Sequence, residues 1–380
     1  MQVDERTAEP KAEFRVDVLV AGLGPGGCAV ALATHRHGLT TLAVEARGTE
    51  STRERLVLVR PGAQAALERL GLPGFTEGRR TTTIRQTEAR LRAELAARAA
   101  AGGPGASALA LRWHTRIVHL AAGDDAVHVV LEDADGRRQS LHAGHVIDAT
   151  GGRLESAGLP ARRRHGPSHV VVTNEFDTEP WFDGIAGVRD PVSGEALILV
   201  PMRGRQSITA YLDLPPGRAV DAPAAVQRFE AIAARLGLRR ARQPAHVVDV
   251  VQRLQAAPGR GRVVPIGDSV GTVDLWLGAG MSAAIEDAVD AGEAIAAAHG
   301  APGPAAVAHI AAAQAVIHAR HRRRSRQGRL MQAARPLLVR LWPAQALDRV
   351  ERDSVRSPRG LWQAMRVVAG RRPTDRTPPA

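Results

Sequence analysis

The sequence of 380 residues predicts an α/β fold: a parallel-sheet domain made of two separated segments, a mixed-sheet domain inserted between them, and a helical C-terminal region. Three observations predict it. A short apolar run, "VDVLVAG" (Val16 to Gly22), leads through glycines into a helix of small residues, "GGCAVALATHRHG". Far downstream, "GRVVPIGD" (Gly261 to Asp268) leads through more glycines into a second such helix, "GAGMSAAIEDAVDAGEAIAAA". Between them lie stretches of period-two alternation, the mark of half-buried strands. These patterns set the boundaries at 14–164 and 256–300 for the first domain, 165–255 for the insert and 301–370 for the C-terminal helices.

The elements follow in order. "VDVLVAG" reads as a buried parallel strand, Gly38 ends the helix after it, and "TTLAVEA" (Thr40 to Ala46) is the next strand, completing a β-α-β unit. "RPGAQAALERLGL" and "RQTEARLRAELAARAAAG" read as helices. "TRIVHL", "AVHVVLE" and "RRQSLHA" alternate as short strands with "DADG" as a hairpin turn, and "HVIDATGG" reads as a further, separate buried strand. "SHVVVTNEF", "EALILVPM" and "QSITAYLDL" supply the inserted sheet, and "APAAVQRFEAIAARLGL" its helix. Residues 303–370 read as Arg-rich helices broken at Pro336 and Pro343, before a disordered tail, "RRPTDRTPPA".

Composition narrows the function. Cys28 is the only cysteine, which rules out a disulfide within the chain and a cysteine-rich metal site, and no histidine pair has metal-ligand spacing. The net charge of +12 is carried almost wholly by arginine, with Lys11 the only lysine, a skew that looks like codon bias rather than a nucleic-acid surface. Aromatics make up 3% and do not interleave with the basic runs, so no nucleic-acid partner is expected. The basic run "HARHRRRSRQGR" reads as a solvated helix face, or one that attracts an anionic partner. Residues 1–13 are polar and no run suits a membrane span, so a cytoplasmic protein is expected.

Gly22, Gly24 and Gly27 form G-x-G-x-x-G between a strand and a helix. The first glycine permits a tight turn, the second lets a pyrophosphate approach the backbone, and the third lets the helix pack close. Pro25 and Gly26 complete the turn. Glu45 ends the second strand, where a carboxylate accepts ribose hydroxyls and repels a 2′-phosphate. This is a Rossmann-type site, and on this evidence NAD and FAD are both open. Asp268 and the glycines before the second small-residue helix decide for a flavin: a carboxylate for the ribityl chain, and helix-start amides for the electron-rich edge of the ring.

With these residues the chain resembles the single-chain FAD monooxygenases of the p-hydroxybenzoate hydroxylase type, within the glutathione-reductase-like FAD superfamily. The resemblance rests on "GLGPGG…VEA", "RERLVLVRPGAQAALERLG", "RQTEARLRAEL" and "GDSVGTVDLWLGAGMSAAIEDA". It implies FAD held by Gly22, Gly24, Pro25, Gly26, Gly27, Glu45 and Ala46. Arg53 and Arg55 fall near the pyrophosphate, Gln86 near the ribityl phosphate and Ile117 near the adenine. Asp268 falls on the ribityl chain, and Gly278, Gly280 and Met281 on the ring. The sequence departs from the family in three places. Thr150-Gly151 stands where an Asp-Gly pair is usual. Asp274, Leu275 and Trp276 replace prolines beside the reactive face. Tyr211 is the only tyrosine, so a phenol-activating tyrosine pair is absent.

The resemblance implies a monooxygenase, a hydroxylase or epoxidase working through a flavin C4a-hydroperoxide on a small or medium apolar metabolite. The electron donor would be NADH or NADPH, or a separate flavin reductase. Asp274 is the candidate general acid or base, against an exposed loop carboxylate; Trp181, Leu199, Met202 and Trp276 are candidates for the substrate pocket, against ordinary core positions. Other flavin reactions on the same scaffold (reductase, oxidase or halogenase-like) and a non-redox flavoprotein cyclase stand as alternatives. Lys11, in the N-terminal tail, does not suit a halogenase lysine.

Overall fold

The computed structural model describes residues 14–50, 56–73, 75, 81–101, 108–154, 162–177, 186–190, 192–193, 195–202, 205–213, 221–235, 238, 245–259, 261–272, 280–299, 301 and 303–341. These form two compact units.

The first unit is organised on a seven-stranded sheet. Its parallel part runs β5 (Leu109–Trp113), β2 (Thr41–Glu45), β1 (Phe14–Ala21), β8 (Arg138–Asp148), with β14 (Val263–Pro265) on the far side of β8. An antiparallel meander, β6 (Arg116–Ala122) and β7 (Val127–Glu132), joins β8. The meander covers one face of the sheet: Leu120, Val127, Val129, Leu131 and Leu141 pack with Leu19, Leu42 and Val44. Helices cover the other face. Here α1 (Pro25–Arg36), α2 (Pro61–Arg69), α3 (Ile84–Ala101) and α5 (Gly280–His299) pack with Val18, Val20 and Ala43 of the sheet. A two-stranded ladder, β3 (Leu56–Leu58) and β4 (Thr81–Thr83), and the first part of α6 (Gly303–Leu341) complete the unit.

Two sequence expectations need correction. "RRQSLHA" and "HVIDA" are one strand, β8, paired in parallel with β1 from Phe14↔Leu141 to Ala21↔Asp148. Gly144 lies between the two runs, where β1 approaches closely: a Cβ there would stand 2.8 Å from the Asp17 carbonyl oxygen. Helix α6 also runs through Pro336 without a break. A proline removes one amide donor, which a long helix survives. Pro343 and the tail "RRPTDRTPPA" lie outside the described residues.

Helices α1 and α5 run side by side in the same direction. Near their starts, a Cβ on Gly26 would lie 3.0 Å from the Cβ of Ala284; further along, one on Gly292 would lie 2.6 Å from the Cβ of Ala33. Small residues let the two backbones approach, and both N-termini therefore face the same end of the sheet. α1 is buried without interruption from Gly26 to Thr34, which is why its sequence carries so few polar residues.

The second unit is a five-stranded sheet in the order β10 (Ala186–Arg189), β11 (Ala196–Met202), β12 (Arg205–Asp213), β9 (Arg162–Phe176), β13 (His246–Gln255). The first four strands are mutually antiparallel. Helix α4 (Ala222–Arg235) lays Phe229 and Ile232 on Val170, Val172, Ile208 and Leu212. Among the described residues, no helix is long and apolar enough to cross a membrane, and no group of three or more acidic, histidine or cysteine side chains could hold a metal ion.

Candidate functional site

The carboxyl ends of β2, β1, β8 and β14 lie at one edge of the parallel sheet, where ligands bind in open α/β folds. The chain leaves β1 through Gly22, whose φ is +95° and whose amide donates to Val44 O at 2.8 Å. A side chain at Gly22 would collide with Ala149 O at 2.8 Å, and one at Gly27 would lie 1.8 Å from Gly22 O. Gly24 caps α1 with no side-chain hydrogen bond, Pro25 follows, and no acidic residue sits in the first turn. Among the described residues, a Cβ on Gly24 would meet only Glu88 Oε1, at 3.7 Å. The turn thus presents backbone amides and open space, which suits an anion.

Leu23, between the first two glycines, is held at both polar atoms. Its amide donates to Glu45 Oε2 at 2.9 Å. Its carbonyl accepts from Arg92 Nε at 3.2 Å and Nη2 at 3.0 Å, and from the Cys28 thiol at 3.4 Å. Arg92 is buried, donates also to Thr49 O, lies 3.7 Å from the wholly buried Glu88 carboxylate and stacks over Trp113 at 5.0 Å. Burial pushes the Cys28 thiol up to about 12.

Glu45 also accepts from Arg47, at Oε1 from N (3.1 Å) and Nε (2.9 Å) and at Oε2 from Nη2 (3.2 Å). Burial opposes its charge, but the Arg47 guanidinium and the amides of Leu23 and Arg47 outweigh burial and hold the carboxyl below its ordinary range. Each of its four acceptor positions is in use. Ala46 follows in the turn, exposed.

The β8 exit is a second turn. Asp148 Oδ1 accepts from Thr150 N (3.0 Å) and Oγ1 (2.6 Å), and Gly151 and Gly152 have φ of +74° and +84°. Gly152 N donates to Ser269 Oγ at 2.9 Å. This joins the β8 turn to the one after β14, where a 3-10 turn, Gly267–Ser269, carries Asp268. From Val263 to Gly271 every residue is buried except Asp268. Asp268 reaches past Gly151 toward the start of α5: a Cβ on Gly280 would lie 4.0 Å from Asp268 Oδ1. Met281, next along, is buried in the helix-side core.

The structure therefore brings Gly22, Gly24, Pro25, Gly26, Gly27, Glu45, Asp268 and Gly280 to one end of the sheet, as an elongated dinucleotide requires. Gln86 has a local task. Its Oε1 accepts Thr83 N at 3.3 Å while Thr83 Oγ1 accepts Gln86 N at 3.0 Å, a reciprocal capping box at the start of α3. Ile117 lies on β6, paired with Leu131 and packed on the meander core. Leu199 and Met202 lie on β11 of the second unit. Arg53, Arg55, Trp181, Asp274, Trp276 and Gly278 lie outside the described residues.

Sequence reading missed Arg92, Arg47, Ser269, Asp287 and His321. The last two hold the Asp268 turn from beneath: Asp287 Oδ2 accepts from Gly267 N at 3.1 Å and from His321 Nε2 at 2.6 Å. Thr83-x-x-Gln86 was readable as a helix start, and Arg47 lies two positions from Glu45; Arg92, Ser269, Asp287 and His321 make contacts across the fold with no local signal.

A family model described as "FAD binding domain" matches residues 76–323, more than half of the chain. The chain belongs to this FAD-binding family. The matched span includes Asp268 and α5 and begins after the Gly22–Gly27 turn, so the turn is separate support for the same nucleotide. FAD is the cofactor, and the glycine backbone at Gly24, the exposed Asp268 and the glycine start of α5 fit it. No curated protein matches the sequence. Among solved structures, p-nitrophenol 4-monooxygenase PnpA from Pseudomonas putida DLL-E4 is 18% identical with a TM-score of 0.68, over 95% of this chain and 100% of that one. The flavin-dependent monooxygenase PieE, solved with FAD and substrate, is 17% identical with a TM-score of 0.70, over 94% and 69%. PqsL from Pseudomonas aeruginosa, a probable FAD-dependent monooxygenase, is 18% identical with a TM-score of 0.63, over 84% and 96%. At these identities the shared property is the fold of FAD-dependent monooxygenases.

Proposed function

We propose that this chain is an FAD-dependent monooxygenase that hydroxylates or epoxidises a small or medium apolar metabolite. The observation that carries the reading is the parallel alignment of α1 and α5, which sets the glycine starts of both helices and Asp268 at one edge of the sheet. The fold likeness to PnpA, PieE and PqsL supports the reaction class.

In this reading, the backbone amides of Gly24, Gly26 and Gly27 receive the pyrophosphate, with Arg53 and Arg55 as its proposed charge partners. Glu45 takes a ribose hydroxyl in place of one Arg47 bond; Arg47 is 40% exposed and free to turn toward solvent. Gln86 and Ile117 lie along the nucleotide, and Asp268 accepts a ribityl hydroxyl. Gly278, Gly280 and Met281 offer backbone to the ring. Bound FAD supplies dioxygen activation, with NADH, NADPH or a separate reductase providing electrons. Asp274 gives or takes the substrate proton, and Trp181, Leu199, Met202 and Trp276 exclude water around the substrate.

The test is isotopic. The FAD-loaded protein is incubated with NADH or NADPH and a panel of apolar aromatic metabolites under ¹⁸O₂. The reading predicts one labelled oxygen in the product, the other in water, and one nicotinamide oxidised per turnover. Product that forms without reduced nicotinamide or reductase, and without label, would overturn it in favour of a non-redox role.

A further inference from the structure

Helix α5 carries a polar stripe on the side away from α1. Ser282 accepts from Arg60 N at 3.0 Å, Glu286 pairs with Arg324 at 2.8 Å, and Asp290 with Arg69 at 2.9 Å. Most of these pairs bind helix to helix. Asp287 differs, because one of its oxygens reaches the backbone of the cofactor turn.

Asp287 and His321 are 0% and 1% exposed. Asp287 Oδ1 accepts from Arg320, and Oδ2 from Gly267 N and His321 Nε2. The other ring nitrogen of His321, Nδ1, lies 2.9 Å from Gly271 O. Both ring nitrogens thus face acceptors. Gly267 and Gly271 bracket Asp268, and Gly271 N donates back to Gly267 O at 3.2 Å. The pair therefore grips both ends of the turn that lifts the single exposed carboxylate. Burial works against the Asp287 charge, but His321 and Arg320 outweigh it and hold the carboxyl below its ordinary range. The other charged groups near the pair, among the described residues, are Glu286, Asp290 and Arg324; His318 is engaged with Gln255 O at 3.0 Å.

We propose that His321, bridging Asp287 to the Gly271 carbonyl, is a positioning residue for Asp268 and so sets how tightly this chain holds FAD. The proposal rests on the reading of Asp268 as a cofactor ligand. Arg320 could neutralise Asp287 alone; what His321 adds is the second anchor, at Gly271. A histidine is suited to that place because it spans two acceptors on opposite sides of a planar ring.

The experiment is a double-mutant cycle on FAD affinity, read by quenching of flavin fluorescence as FAD is titrated into the FAD-free protein. His321→Leu removes both ring contacts and is expected to weaken FAD about tenfold, the equivalent of ~1.4 kcal/mol. Asp268→Asn alone also weakens FAD, and adding His321→Leu to it produces no further loss, because the positioned group is gone. His321→Gln keeps a donor toward Asp287 and His321→Asn one toward Gly271, so each restores part of the affinity. Should His321→Leu fail to fold, Gln and Asn carry the same cycle. If Asp268→Asn leaves affinity unchanged, the assignment of Asp268 as a ligand fails. If Asp268→Asn weakens FAD but the two changes add in full, or His321→Leu has no effect, the positioning role is overturned.

Discussion

Arg92 donates two hydrogen bonds to the carbonyl of Leu23, sixty-nine positions earlier in the chain. The peptide between the first two glycines is therefore clamped, with Glu45 on its amide and Arg92 on its carbonyl. Glycines make the turn sterically possible; these two charged side chains select one conformation of it. A turn already in its binding conformation spends less affinity on ordering when the ligand arrives.

Arg92→Met should therefore destabilise the protein by about 3–5 kcal/mol, since it strips the guanidinium from beside a buried carboxylate, Glu88. Arg92→Lys keeps the charge but not the fork, and should fall between. Urea denaturation of the FAD-free protein measures both.

Gly24 and Gly27 should separate folding from binding. At Gly27 a methyl would overlap the Gly22 carbonyl oxygen, so Gly27→Ala should fold poorly. At Gly24 the only neighbour among the described residues is at 3.7 Å. Gly24→Ala should keep the stability of the FAD-free protein within about 0.5 kcal/mol while filling the space the pyrophosphate needs. The expected result is a normal melting curve without FAD and at least about tenfold weaker FAD binding, roughly 1.4 kcal/mol.

Glu45 predicts an acid limb in stability. Its folded carboxyl is held below the ordinary glutamate value of 4.5. A depressed value contributes stability that is present above the unfolded value and lost as pH falls through the folded one. Stability of the FAD-free protein should thus fall as pH drops below 4.5, and Glu45→Gln should flatten that part of the profile relative to the wild type.

Cys28 is a built-in reporter of the turn. Its thiol is fully buried and pushed up to about 12. Alkylation of the native protein should be slow and limited by opening of the region, because the reactive thiolate is scarce and covered. Saturating FAD should slow it further, and mass spectrometry of the labelled chain reads the rate.

The sequence carried the glycine turn, Glu45 and the Asp268–Gly280 segment plainly, because each is written in a few consecutive residues whose spacing has a physical reason. It carried less where partners are distant. Arg92 is one arginine among many, and nothing local distinguishes it from a solvated charge until α3 is packed beside Leu23. Asp287 and His321 sit on different helices, thirty-four positions apart, and meet only once α5 and α6 pack together beside the turn between Gly267 and Gly271. The continuity of β8 was less legible: Gly144 separates its two apolar runs, and the close approach of the Asp17 backbone demands glycine there. The reciprocal cap between Thr83 and Gln86 is written in the sequence as a Thr-x-x-Gln spacing.

The central claim is that the starts of α1 and α5 bind one FAD together. Hydrogen–deuterium exchange with and without saturating FAD tests it most directly, alongside the flavin-to-protein ratio of the loaded protein. The account predicts one FAD per chain and slowed exchange in two separated stretches, around Gly24 to Cys28 and around Gly280 to Ala284. Protection of only one stretch at that ratio, or of neither, would contradict it.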